Sequence, residues 1–167
     1  MPQESPLYSI LNEINGAAAA GLSLVAITSA LALPEICANL VDTEGSTREK
    51  YQKWCRENLV GPRFSFLAPE DFWSMRCGAL HEGRFGGMKH DIKQVIFVVR
   101  GGATYVNCIN GDTYIYSLVD FCRYLTEAVY HWYETNRESP VLQANIPHLM
   151  QYREGGFPPL GGPTVIA

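Results

Sequence analysis

The chain has 167 residues, enough for one domain around a single hydrophobic core and too few for several. Apolar residues make up 47% and charged residues 18%, a balance that excludes a disordered or fibrous chain. A formal net charge of −4 and a pI of about 5.5 exclude a broad basic nucleic-acid surface, although a local phosphate pocket needs only one or two cations.

Ser5 to Leu33 reads as one long helix, with Ser5 at the N-cap and Pro6 at the first helical position. From Ile14 to Pro34 it carries no charged side chain, about the length needed to cross a bilayer. Ala17 to Ala20 add little transfer energy, and Asn15, Gly16, Gly21, Ser23, Thr28 and Ser29 dilute the rest. Acidic residues flank the segment, and no Lys or Arg precedes Arg48. The expectation is a buried helix whose small residues (Gly16, Ala20, Ser23) admit a close neighbour. Met1 to Pro6 lacks the positive residue of a signal peptide. A cytoplasmic chain without membrane contact is therefore expected.

Pro34 is expected to break or kink this helix, with Pro34 to Leu40 starting a short new one. After a loop at Asp42 to Ser46, Ser46 and Glu49 form a Ser-x-x-Glu capping box. That helix runs to about Asn58, with Tyr51, Trp54, Cys55 and Leu59 near one face, and Gly61-Pro62 ends it. The next begins at Pro69, with Glu70 and Asp71 where the dipole favours negative charge. It reaches His81 or Glu82, with Gly83 as the left-handed stop, and Arg84 to Lys89 follows as a mobile Gly-rich loop.

The period then becomes strand-like. Gln94 to Val99 is one strand, Arg100 to Ala103 a turn, Thr104 to Ile109 a second strand and Thr113 to Tyr116 a third. Asn110-Gly111 is the strongest hairpin signal. Ser117 and Asp120 cap a last long helix to about Asn136, with the stripe Leu118, Phe121, Leu125, Val129 and Trp132. The expected fold is mainly α, a bundle of about four to five helices. A small three-stranded antiparallel β-meander is inserted before the last long helix. Residues 1–150 form the single domain, and 151–167 form an irregular tail rich in Pro and Gly.

The five cysteines (Cys37, Cys55, Cys77, Cys108, Cys122) are odd in number and include no Cys-x-x-Cys. Reduced core thiols are expected, with neither a metal nor a cofactor. His90-Asp91 beside Glu82 matches no firm metal spacing.

One residue does not fit its helix. At about 100° per residue, Phe72, Trp73, Met75, Cys77, Ala79 and Leu80 spread over one apolar arc, and Arg76 falls near its middle. A guanidinium there must reach water, pair with a carboxylate such as Glu13, Glu35, Glu82 or Glu127, or meet an anion. His81 follows at the helix end, where the dipole favours an imidazolium. On an ideal helix the two side chains point about 140° apart, so they meet only if the helix end unwinds or two subunits combine their copies. An imidazole beside a fixed planar cation suits proton transfer at a phosphate ester: the imidazole serves the ribose hydroxyl and the cation the phosphoryl oxygens. Arg84 in the Gly-rich loop is a second candidate phosphate contact, and Arg84 with His90 repeats the spacing loosely. The aromatic residues Tyr124, Tyr130, Trp132 and Tyr133 could stack bases, although core packing is their commoner role.

The run Asp71-Phe72-Trp73-Ser74-Met75-Arg76-Cys77-Gly78-Ala79-Leu80-His81-Glu82-Gly83 resembles the motif helix of the HEPN superfamily, whose signature is Arg, four to six residues, then His. That resemblance implies a small helical bundle, often a homodimer, and in many members metal-independent ribonuclease activity. By it, Arg76 and His81 would be the catalytic pair. It also admits a non-catalytic module that binds a nucleotide or a protein partner. Cys77 directly after the Arg, the acidic pI and the small-residue helix motivate that alternative. Geometry separates the two. Arg76 and His81 lining an open groove favour the enzyme, and Arg76 held by a carboxylate of its own chain favours the module.

Overall fold

The computed structural model of the chain describes residues 5–42, 44–88, 92–99 and 106–167. Two helices replace the expected first one: α1, Pro6–Ala19, and α2, Ser23–Val41. The break falls at Gly21, in the left-handed region at φ 77°, and not at Pro34. There Gly21 N bonds Ala18 O and Leu22 N bonds Ala17 O, so the end of α1 is closed by its own carbonyls. This break also divides the expected small-residue face: Gly16 of α1 and Ala20 at its C-cap are exposed, and Ser23, half-buried, starts α2.

Pro34 stays inside α2 and is buried. An interior proline removes one helical bond and costs about 3 kcal/mol. Burial of α2 outweighs that cost, because α2 is the hub against which α1, α3, α4, α5 and α6 pack. Its carbonyl at Leu31, one turn before the proline, accepts the hydroxyl of buried Tyr51 at 3.0 Å. The helix long and apolar enough to cross a bilayer is therefore α2, displaced from the expected Ile14 to Pro34; its mean hydropathy is 1.8, and half of it is buried within the fold.

α3, Thr47–Asn58, opens with the expected capping box, in which Glu49 N bonds Ser46 Oγ at 3.3 Å. Its Tyr51, Trp54, Cys55 and Leu59 face the core. α4, Pro69–Cys77, continues without interruption into a π-helical turn, Gly78–Glu82, and Gly83 closes it at φ 66°.

Three strands follow: β1, Gln94–Val98; β2, Cys108–Asn110; and β3, Thr113–Ser117. β2 and β3 form the hairpin that Asn110-Gly111 announces, with Asn110 opposite Thr113. The sheet is nevertheless not a meander. Its order is β1-β3-β2, and β1 runs parallel to β3. Phe97 explains the placement: it stacks on Tyr116 of β3 at 6.0 Å and meets Phe121 edge-on at 5.0 Å. Pairing β1 with β3 half-buries that ring, whereas a meander would set β1 against β2, whose residues are more exposed. The Arg100 to Ala103 turn, and Thr104 and Tyr105 of the expected second strand, lie outside the described residues.

α5, Leu118–Asn136, is capped by Ser117 and buries the whole expected stripe. α6, Pro140–Asn145, and a 3₁₀ turn, Ile146–His148, were not expected from the sequence. Buried Leu142 and Ile146 dock them, and Asn145 Nδ2 bonds Leu40 O at 2.9 Å. The expected irregular tail carries four two-residue strands: β4, Tyr152–Arg153; β5, Gly156–Phe157; β6, Leu160–Gly161; and β7, Val165–Ile166. β4 pairs with β7 and β5 with β6, and Tyr152 fastens the ribbon to α1 through Glu13 at 2.6 Å. All five cysteines are free; Cys37, Cys55 and Cys122 are buried.

Candidate functional site

Arg76 sits in the last turn of α4, where its helix crosses α2. Its Nη2 forms an ion pair with Glu35 of α2, one of the carboxylates that the sequence offered. The two side chains are 13% and 22% exposed, so the pair is largely withdrawn from water. The guanidinium also lies against the ring of Trp73, three residues earlier, at 5.2 Å.

His81 is exposed, yet its Nε2 stands 3.1 Å from Arg76 Nη1. The π turn makes this possible. Gly83 N bonds Gly78 O, an i→i+5 closure that fits more residues into one revolution than the 3.6 of an α-helix. The angle between positions 76 and 81 narrows, and side chains that an ideal helix would splay come into contact. Of the two routes the sequence left open, the contact seen is the one through altered winding of the helix end, within a single chain. Since a guanidinium can only donate, the imidazole accepts at Nε2. Arg76 Nε is buried without a partner among the described residues.

Deeper in, Tyr51 from α3 places its hydroxyl on Leu31 O and, at 3.4 Å, on Phe72 O, which ties α2 and α4 together beside the Glu35–Arg76 pair. Burial holds the Tyr51 hydroxyl protonated well above its ordinary range, so it stays a donor. Nothing in the helical spacing marks Tyr51 as more than a core residue, and sequence reasoning placed it only there.

Arg84 does not join the site. It is exposed and turns to Glu82, with Nη2 to Oε2 at 2.6 Å. Its loop is packed, contrary to expectation. Ser74 Oγ bonds Gly87 O at 2.8 Å, Arg84 N bonds Gly78 O at 3.2 Å, and Phe85 meets Phe97 at 5.1 Å. His90 and Asp91 lie outside the described residues. Of the candidate stacking rings, Trp132 and Tyr133 are buried, and Tyr124 is covered by Arg63 at 4.3 Å and Arg123 at 4.8 Å. Only Tyr130 among the four is exposed.

Two clefts, of about 410 and 320 Å³, flank the Glu127–His131 ridge of α5, and neither has Arg76 or His81 in its walls. The arrangement at Arg76 is therefore a surface-edge site: a charge held from below by a carboxylate and met from outside by an imidazole. Chemically it can present a fixed cation and a proton acceptor to an anionic ester. The chain matches no protein-family model, no curated protein and no solved structure.

Proposed function

We propose that this chain is a HEPN-like helical domain that cuts RNA at the Arg76–His81 pair without a metal. The observation that carries the reading is the π turn that brings His81 Nε2 to 3.1 Å from Arg76 Nη1. An ion pair between Arg76 and Glu35 already satisfies the charge. The fold gains little from adding an imidazole to it, yet the helix takes a rare winding that does so. Such departures concentrate at functional sites.

In the proposed step, the ribose 2′-hydroxyl takes the place of Arg76 Nη1 on His81 Nε2, and that nitrogen takes its proton. The 2′-oxygen bonds to phosphorus, and the bond to the 5′-oxygen breaks. Arg76 steadies the charge on the phosphoryl oxygens. The leaving oxygen takes a proton from the imidazolium of a second copy, so a homodimer completes the cycle. The products are a 2′,3′-cyclic phosphate and a 5′-hydroxyl. The test is cleavage of labelled RNA in EDTA by the wild type and by His81→Ala. His81 is exposed, so its loss leaves the fold intact. Cleavage that persists unchanged in His81→Ala refutes the reading.

A second reading is a non-catalytic module in which Arg76 is structural. Both geometric marks favour it: Arg76 is held by Glu35 of its own chain, and neither cleft has Arg76 or His81 in its walls, so a substrate phosphate must approach a guanidinium already neutralised. Under that reading the protein binds a partner or a nucleotide and does not turn RNA over.

A further inference from the structure

We infer that the Gly-rich loop at 84–87 is a positioning element of the Arg76–His81 site, acting through Gly78 and Gly86. The inference rests on the proposed reading of that pair and names what holds it. Gly78 is the first residue of the π turn and has ordinary helical angles, φ −63° and ψ −44°. No left-handed backbone requires glycine there. Space does: a methyl at Gly78 would overlap Arg84 O and Gly86 N and lie 3.0 Å from Phe85 C, all backbone atoms. Gly86 answers from the other side, where a methyl would overlap Ser74 O and Ser74 Oγ. The loop backbone therefore lies directly on the helix backbone across two interlocked glycines.

Two hydrogen bonds fix this contact. Ser74 Oγ donates to Gly87 O at 2.8 Å, and Arg84 N donates to Gly78 O at 3.2 Å. Gly78 O also receives Gly83 N, so the carbonyl that closes the π turn is the one the loop grips. With the loop seated, the wide winding is held and His81 rests on Arg76. With the loop displaced, the helix end is free to return to α winding, which swings His81 away.

The experiment compares Gly78→Ala, Ser74→Ala and Gly87→Ala in the full chain. Gly87 is the control within the loop, because a methyl there meets nothing within 4 Å. Histidine-ring ¹H–¹⁵N spectra, with the His81 signal identified by its loss in His81→Ala, report the contact with Arg76 independently of activity. Gly78→Ala is expected to shift the His81 Nε2 signal and to lower kcat for RNA about a hundredfold with KM little changed, as a misplaced catalytic group does. Ser74→Ala, which loses one hydrogen bond near the surface and keeps the fold, shifts the same signal in the same direction by less. Gly87→Ala matches the wild type. If Gly78→Ala does not fold, the Ser74→Ala shift carries the test. A His81 signal unmoved in both Gly78→Ala and Ser74→Ala overturns the inference. A moved signal in a chain whose wild type cuts no RNA upholds the positioning and overturns the ribonuclease reading alone.

Discussion

Neutralising Glu35 while leaving its shape, in Glu35→Gln, tests the ion pair at the centre of the site. A fully buried pair that loses one member costs about 3–5 kcal/mol, and an exposed one about 0–1 kcal/mol. Arg76 is 13% exposed and Glu35 22%, so solvent screens part of the loss and about 2 kcal/mol is expected. For a chain of this size that lowers Tm by roughly 4–8 °C. Urea melts of Glu35→Gln, Arg76→Met and the double variant measure the coupling. The double variant should recover most of the loss, because no uncompensated charge remains. Removing Glu35 also leaves Arg76 with charge to spare. Inorganic phosphate should therefore raise the Tm of Glu35→Gln more than that of the wild type, by ligand linkage. A Glu35→Gln variant within about 0.5 kcal/mol of the wild type would show that the pair is loose and solvated, and the argument for a held cation would fail.

Tyr51→Phe removes the buried hydroxyl that bonds Leu31 O and Phe72 O, and is expected to cost about 1–2 kcal/mol in urea melts; a neutral result would mean that these bonds add nothing to the joint between α2 and α4. Alkaline pH should destabilise the fold. Burial pushes the Cys122 thiol up to about 12 and raises Cys37 and Cys55 above their ordinary 9.0, so the folded chain keeps protons that the unfolded chain releases. Stability is full below about pH 9 and falls above it by up to about 1.4 kcal/mol per pH unit for each thiol, with buried Tyr51 and Tyr116 adding to the slope above about pH 10. Urea midpoints that stay flat from pH 8 to roughly pH 10.5 would contradict this. Native-state labelling with a disulfide reagent should reach Cys77 and Cys108 and spare the three buried thiols; prompt reaction of all five would place the core elsewhere.

The helices α3, α4 and α5 were legible because their signals are local. Ser46 with Glu49 and Ser117 before Asp120 each mark a start through side-chain bonds three residues long, and the α5 stripe marks its buried face directly. Elements decided by distant partners were not legible. Pro34 reads as a break until α2 is seen wrapped by five other helices. Gly21 reads as one small residue among many until the chain must turn there. The parallel seat of β1 depends on Phe97 meeting Tyr116 and Phe121, which no turn signal announces. The ribbon at the C-terminus is held by pairings such as Gly156 with Gly161, which composition alone reads as an irregular tail.

The same division runs through the site. Arg76 was legible as a charge out of place, and its need for a carboxylate followed from that alone. Which carboxylate answered was a matter of tertiary packing, since Glu35 lies 41 positions away. His81 was legible by spacing, but the contact was not, because ideal winding forbids it. What permits the contact is a pair of glycines that look like loop filler in the sequence. Glycine without a positive φ leaves no local trace; its meaning lies in what comes close. Gly78 carries that meaning for the helix and Gly86 for the loop. A methyl at either one sets backbone against backbone, and the winding that joins His81 to Arg76 has no other support of that kind among the described residues.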